Sequence, residues 1–208
     1  MQIKSWQRGL YLVTPNWDDT KQLLRSTEQA LQAGVALLQY RHKTADPELR
    51  LQQASALQAL CRRYQTAFVI NDHVELAVQL GADGVHVGGT DVSVAQAREL
   101  LGNHKIVGAS CYGDLSLARA AQAQGASYVA FGGFYPSVVK KYPVTTPLDL
   151  VREARVVIPL PIVVIGGMTV ELARPLVERG ADLVAAISSV YNHADTNDAA
   201  RQFVSLFK

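Results

Sequence analysis

Gln39, Arg41 and Lys43 alternate along one short segment, LLQYRHK, where an apolar run gives way to polar residues. Alternate side chains of an extended chain point the same way, so the three are expected to form one comb of hydrogen-bond donors. Asn71 and Asp72 close a second apolar run, FVIND, and Asp91 follows a third, GVHVGGTD. Two carboxylates leaving neighbouring runs can share a hard cation. Mg²⁺ usually takes one or two carboxylates and completes its shell with water and substrate phosphate oxygens. Donor comb, carboxylates and Asn71 together describe a site for a diphosphate. Each aspartate alone also has a plainer reading. Asp72 with Glu75 fits a capping box, and Asp91 stands before another helical stretch.

Gly166-Gly167 and Ser188-Ser189 supply the parts of a second anion site. Glycines let backbone N–H groups approach an anion, and a helix start offers unpaired donors. Tight turns with serine caps are the alternative. His73 and His86 have no partner histidine at metal-ligand spacing, so packing or hydrogen bonding is their expected role. Cys61 and Cys111 form no CxxC, and no GxSxG occurs, so neither a cysteine-rich zinc site nor a nucleophile elbow is expected.

The elements that must position these residues alternate eight times. Strand-like runs cover Leu10–Val13, Leu37–Tyr40, Phe68–Asn71, Gly84–Val87, Ile106–Ser110, Tyr128–Phe131, Ile162–Ile165 and Leu183–Ile187. Helical stretches follow each, about Thr20–Ala33, Pro47–Tyr64, His73–Leu80, Val92–Leu101, Leu115–Gln124, Pro147–Val156, Val170–Arg179 and Asp198–Phe207. Apolar strands alternating with helices mean a parallel sheet covered by helices. Eight units in 208 residues predict a single (β/α)8 TIM barrel spanning 1–208, with a doubly wound open sheet as runner-up. A repeat supports the barrel: LQAGVALLQY, VQLGADGVHV, AQAQGASYVA and LVERGADLVA place Gly34, Gly81, Gly125 and Gly180 before the even-numbered strands. In such barrels the site lies where strands end, and phosphate commonly sits after strands 7 and 8. The candidate residues all lie at or just after the ends of strands.

Composition narrows the partners. Lys plus Arg is 20 against 18 for Asp plus Glu, too balanced for a general nucleic-acid binder. No run approaches the ~18 apolar residues of a membrane span. Lys4 and Arg8 interrupt any leader-like segment at the start. The expectation is a cytoplasmic protein acting on small molecules, with neither nucleic acid nor membrane as partner; a homo-oligomer is left open.

Seven segments, in order, are similar to thiamine-phosphate synthases: LQYRHK at 38–43, IND at 70–72, GADGVHVGGTD at 81–91, GAS at 108–110, YPSVVK at 135–140, IGG at 165–167 and IS at 187–188. The resemblance implies a barrel that joins 4-amino-2-methyl-5-(hydroxymethyl)pyrimidine diphosphate to 4-methyl-5-(2-hydroxyethyl)thiazole phosphate with Mg²⁺, yielding thiamine monophosphate and pyrophosphate. It implies that Gln39, Arg41, Lys43, Asn71 and Lys140 hold the pyrimidine diphosphate, with Tyr40 and His42 in the same segment. Asp72 and Asp91 would hold Mg²⁺, and Ser110 would meet the pyrimidine. Ser137, Val138, Val139, Gly167, Ile187 and Ser188 would take the thiazole phosphate. Arg41, Lys43, Ser110 and Lys140 are the residues implied in catalysis. The chain departs from the pattern at Gly89, where Gln or Lys is frequent, at Val139, where Thr is usual, and at Cys111-Tyr112, near which many relatives carry His. The competing readings are a thiazole tautomerase-like isomerase and a non-enzymatic barrel that binds phosphate ligands.

Overall fold

The computed structural model describes residues 5–89, 92–136 and 146–208. Eight parallel strands close into a barrel in sequence order, β1 pairing with both β2 and β8. They are β1 Gly9–Val13, β2 Leu37–Tyr40, β3 Ala67–Asn71, β4 Gly84–Val87, β5 Ile106–Tyr112, β6 Tyr128–Phe131, β7 Ile162–Ile165 and β8 Leu183–Ala186. Helices α1 Thr20–Leu31, α2 Pro47–Arg63, α3 Val74–Leu80, α4 Val94–Leu101, α5 Leu115–Ala123, α6 Leu150–Val157 and α7 Val170–Glu178 cover it. The chain ends with the short α8 Ser188–Tyr191 and with α9 Thr196–Ser205. The doubly wound alternative is excluded by the β1–β8 pairing. No helix among the described residues is long and apolar enough to cross a membrane.

Alternation sorts each strand between two cores. Leu10, Leu12, Leu38, Phe68, Ile70 and Val85 face the helices. Tyr11, Val13, Leu37, Val69, Ile106, Tyr128, Val163, Leu183 and Ala185 fill the interior, with Trp6 of a short 3-10 helix packed edge-on to Tyr128. Fitting Tyr128 inside requires space on the neighbouring strand. A Cβ on Gly108 would stand 1.9 Å from the Tyr128 ring, so no larger residue fits there without displacing it.

The internal repeat has a physical cause at the opposite end from the site. Asp83 and Asp182 each accept a bond from a backbone N–H at the start of the preceding strand, Phe68 and Ile162, at 2.8 Å. Ser127 does the same for Val107 at 3.1 Å. The fourth equivalent position is Ala36, which offers only its backbone. The GAD and GAS phrases thus end a helix with a left-handed glycine, at Gly81 with φ +60, and then cap a strand.

Candidate functional site

The strand ends open into a mouth lined from one side by Gln39, Arg41, Asn71, His86 and Ser110. Val13, Ala130, Val163, Ile165, Ala185 and Ile187 line it from the other. Beside it lies a cavity of about 220 Å³ between Tyr40, His42, Lys43, Arg50, Asn71, Asp72 and His73. Asn71 borders both spaces.

The expected single comb is divided between them. Gln39 turns into the barrel, where its Nε2 donates to the Tyr11 hydroxyl at 2.5 Å. Arg41 stays in the mouth, and Lys43 leaves for the neighbouring cavity, where its ammonium pairs with Asp72. The cause is that β2 ends at Tyr40, so the i, i+2 rule no longer governs Arg41 and Lys43. The loop after β1 holds them instead. Thr14, fully buried, accepts from the Arg41 backbone N–H at 2.8 Å and donates to the Arg41 carbonyl at 3.0 Å. Asn16 Oδ1 accepts from Arg41 Nη1 and from the Lys43 backbone N–H at 3.4 and 3.2 Å.

Tyr40 and His42 are buried in the wall of the second cavity. The Tyr40 hydroxyl donates to Gln53 at 3.0 Å, and burial pushes its pKa up to about 12, so it stays neutral. His42 Nδ1 accepts from the Ala45 N–H at 3.0 Å, which leaves the ring proton on Nε2. That Nε2 lies 3.0 Å from the Asp18 carboxylate but off the line of a hydrogen bond, so the contact is charge–dipole in character.

Asp72 is not a helix cap. The N-cap of α3 is His73, without a side-chain bond, while Asp72 takes a left-handed backbone with φ +64. A non-glycine residue there is strained, and such strain concentrates at functional sites. Its side chain, 16% exposed, faces Lys43 on the cavity rim. The cap of α4 is Ser93 with Gln96, a complete capping box. Asp91 itself lies outside the described residues, as do Ser137, Val138, Val139, Lys140 and Lys141.

At β7 and β8, Gly166 and Gly167 have φ of +106 and +62. A Cβ on Gly167 would stand 2.1 Å from the Pro136 carbonyl oxygen, so this glycine also seats the loop after β6. Ile187 and Ser188 open the four-residue α8, whose start has no side-chain cap. Two departures from the family pattern meet in space. The Gly89 N–H donates to the Tyr112 hydroxyl at 3.3 Å, and a Cβ at 89 would press within 3.2 Å of that oxygen.

Two polar groups inside the barrel, the Tyr11 and Tyr128 hydroxyls, were not expected from strand ends, and they join His86, whose expected role was packing or hydrogen bonding, and Ser110. His86 Nε2 and Ser110 Oγ are 2.9 Å apart, His86 Nδ1 and the Tyr128 hydroxyl 2.8 Å, and the Tyr128 and Tyr11 hydroxyls 2.6 Å. The available signal was Gly108 in the GAS phrase, whose missing side chain admits Tyr128. Thr14 and Asn16 were readable by the same strand-end rule, applied to the first strand. Cys111 is buried and its thiol pushed up to about 12, which leaves no nucleophile there.

With this geometry in hand, the chain can be compared with known proteins. The family described as thiamine monophosphate synthase matches residues 10–190. The thiamine-phosphate synthase of Janthinobacterium sp. (strain Marseille) is 62% identical over 205 residues, 99% of each chain. That of Nitrosospira multiformis is 45% identical over 200 residues, 96% of this chain and 86% of the other. A solved thiamine phosphate pyrophosphorylase from Pyrococcus furiosus matches with a TM-score of 0.85 at 29% identity, covering 97% of this chain and 96% of that one.

Proposed function

The chain belongs to the thiamine monophosphate synthase family and is a transferase, and we propose that its barrel mouth joins the pyrimidine diphosphate to the thiazole phosphate. The C–O bond to the diphosphate breaks, a C–N bond to the thiazole nitrogen forms, and pyrophosphate leaves. The observation that carries this reading is a cationic and polar wall, with Arg41, Asn71 and Ser110, facing an apolar wall across one mouth.

Arg41 and Lys43 stabilise the charge that builds on the leaving pyrophosphate, joined by Lys140 from the loop after β6. The thiazole nitrogen brings its own lone pair, so no residue need act as general base. Val163, Ile165 and Ala185 exclude water from the carbon that loses its leaving group. Gly167, Ile187 and Ser188 would take the thiazole phosphate, with Ser137 to Val139 beside them.

Asp72 suits Mg²⁺. It is a hard carboxylate on the rim of the second cavity, and the described residues hold no cluster of three His, Cys, Asp or Glu that would form an all-protein cage. An ion that keeps several waters and takes the rest of its shell from phosphate oxygens needs no such cage. Asp91 would be the second carboxylate. When bound, the ion neutralises charge on the diphosphate oxygens. The isomerase reading gives Arg41, Lys43, Asn71 and Asp72 no task.

The test supplies each substrate alone and both together with Mg²⁺. Thiamine monophosphate and pyrophosphate should appear together, and only with both substrates. Conversion of the thiazole phosphate alone would favour the isomerase. No turnover in any arm would favour the binding protein.

A further inference from the structure

Five side chains form one unbroken hydrogen-bond chain across the barrel interior: Gln39, Tyr11, Tyr128, His86 and Ser110. Its ends, Gln39 and Ser110, both line the mouth. A Ser–His contact at 2.9 Å has two chemically opposite meanings. If the imidazole accepts, Ser110 is primed as a nucleophile. If the imidazole donates, Ser110 keeps its proton and offers it to a substrate.

The direction of the chain decides. Burial pushes the Tyr11 and Tyr128 hydroxyls far above their usual pKa, so each keeps one proton to donate. Gln39 Nε2 can only donate, and Tyr11 accepts from it. Tyr11 then donates to Tyr128, and Tyr128 to His86 Nδ1. The ring proton lies on Nε2 and points at Ser110. The reverse order needs the Gln39 amide turned, which would take its NH₂ off Tyr11 in a mouth that the cationic Arg41 also lines. With Nε2 of Gln39 on Tyr11, the donor order runs from Gln39 to Ser110.

We infer that Tyr128 is a positioning residue: it fixes the neutral His86 ring as the Nε2–H tautomer, so that Ser110 acts as a hydrogen-bond donor into the mouth and not as a nucleophile. This deepens the function proposed above and rests on it only for the identity of the acceptor, a ring nitrogen of the aminopyrimidine. Tyr128 is stacked on His86, with ring centroids 5.7 Å apart at 15°, so Tyr128→Phe removes the hydroxyl and keeps the packing.

The test reads the His86 tautomer by nitrogen-15 NMR of the substrate-free protein, above the ordinary imidazole pKa. Wild type should show Nε2–H. Tyr128→Phe should lose that preference, and its turnover should fall about tenfold, the effect of one neutral hydrogen bond, with the thiazole phosphate KM unchanged. Gln39→Glu, nearly isosteric, puts an acceptor beside Tyr11; it should reverse the chain and move the proton to Nδ1 even if Tyr128→Phe does not fold. Nδ1–H in the wild type would overturn the inference. So would a Tyr128→Phe protein with wild-type tautomer and turnover. The tautomer needs no substrate, so a wild type without transferase activity would count against the function alone.

Discussion

Strands β2 to β5 and strands β6 to β1 line the same mouth with opposite chemistry. The first group presents Gln39, Arg41, Asn71, His86 and Ser110; the second presents Ala130, Val163, Ile165, Ala185, Ile187 and Val13, with Tyr11 as its one polar side chain among the described lining residues. The polar half is tied together by side chains, since Thr14 and Asn16 hold the loop after β2 and a buried chain links Gln39 to Ser110. The apolar half lends the Tyr11 and Tyr128 hydroxyls of β1 and β6 to that chain, while the side chains of Val163, Ile165 and Ala185 that it turns to the mouth are apolar. The difference fits a reaction that separates charge: one wall must stabilise an anion as it leaves, and the other must keep water from the carbon left behind.

The largest effect should come from the polar rim. Asp72→Asn is expected to cut turnover by about a hundredfold or more at limiting Mg²⁺, since even changes one shell out from a metal cost about 10–100-fold. Asp72→Gly sharpens the test. Removing the side chain relieves a left-handed strain of about 1–2 kcal/mol while adding roughly 0.4–1 kcal/mol of unfolded-state freedom. Its Tm should therefore hold or rise slightly while activity is lost. A large fall in Tm would make Asp72 a structural residue.

Arg41→Ala should slow turnover about ten- to a hundredfold, the loss of one charge-assisted contact to phosphate. Thr14→Val should act in the same direction through the Arg41 backbone, and Thr14→Ser should restore most of it. Steady-state kinetics varying each substrate separately would check this. An effect confined to the thiazole phosphate would break the assignment of this half.

The barrel was legible because eight apolar runs alternated with helical ones, and the even-strand repeat has a cause in the Asp83, Ser127 and Asp182 caps. Strand-end residues were legible as a set. Their partners were less so. Gln39 shares a segment with Lys43 but not a cavity, because the strand ends between them and loop contacts take over. The Tyr11–Tyr128 pair joins residues 117 apart, which no local period encodes. Gly108 carried the only trace of it.

A smaller effect is expected on the apolar half. Ile165→Thr keeps much of the shape but admits a hydroxyl and water. It should raise, by a few-fold, the share of pyrophosphate released without thiamine monophosphate. Parallel assays of the two products would show it, and unchanged coupling would remove water exclusion from the role of this wall. The smallest effect belongs to the thiols. Cys61 and Cys111 are both buried and pushed well above the usual thiol pKa by desolvation, so alkylation of the native protein near neutral pH should leave mass and activity unchanged.

A crystal structure with thiamine monophosphate and pyrophosphate bound tests the two-sided mouth most directly. The account predicts pyrophosphate beside Lys43, Asn71 and Asp72, the aminopyrimidine between Gln39 and Ser110, and the thiazole against Ile165 with its phosphate at Gly167 and Ser188. Pyrophosphate on the Gly167 side, or the aminopyrimidine packed against the apolar wall away from Ser110, would contradict it.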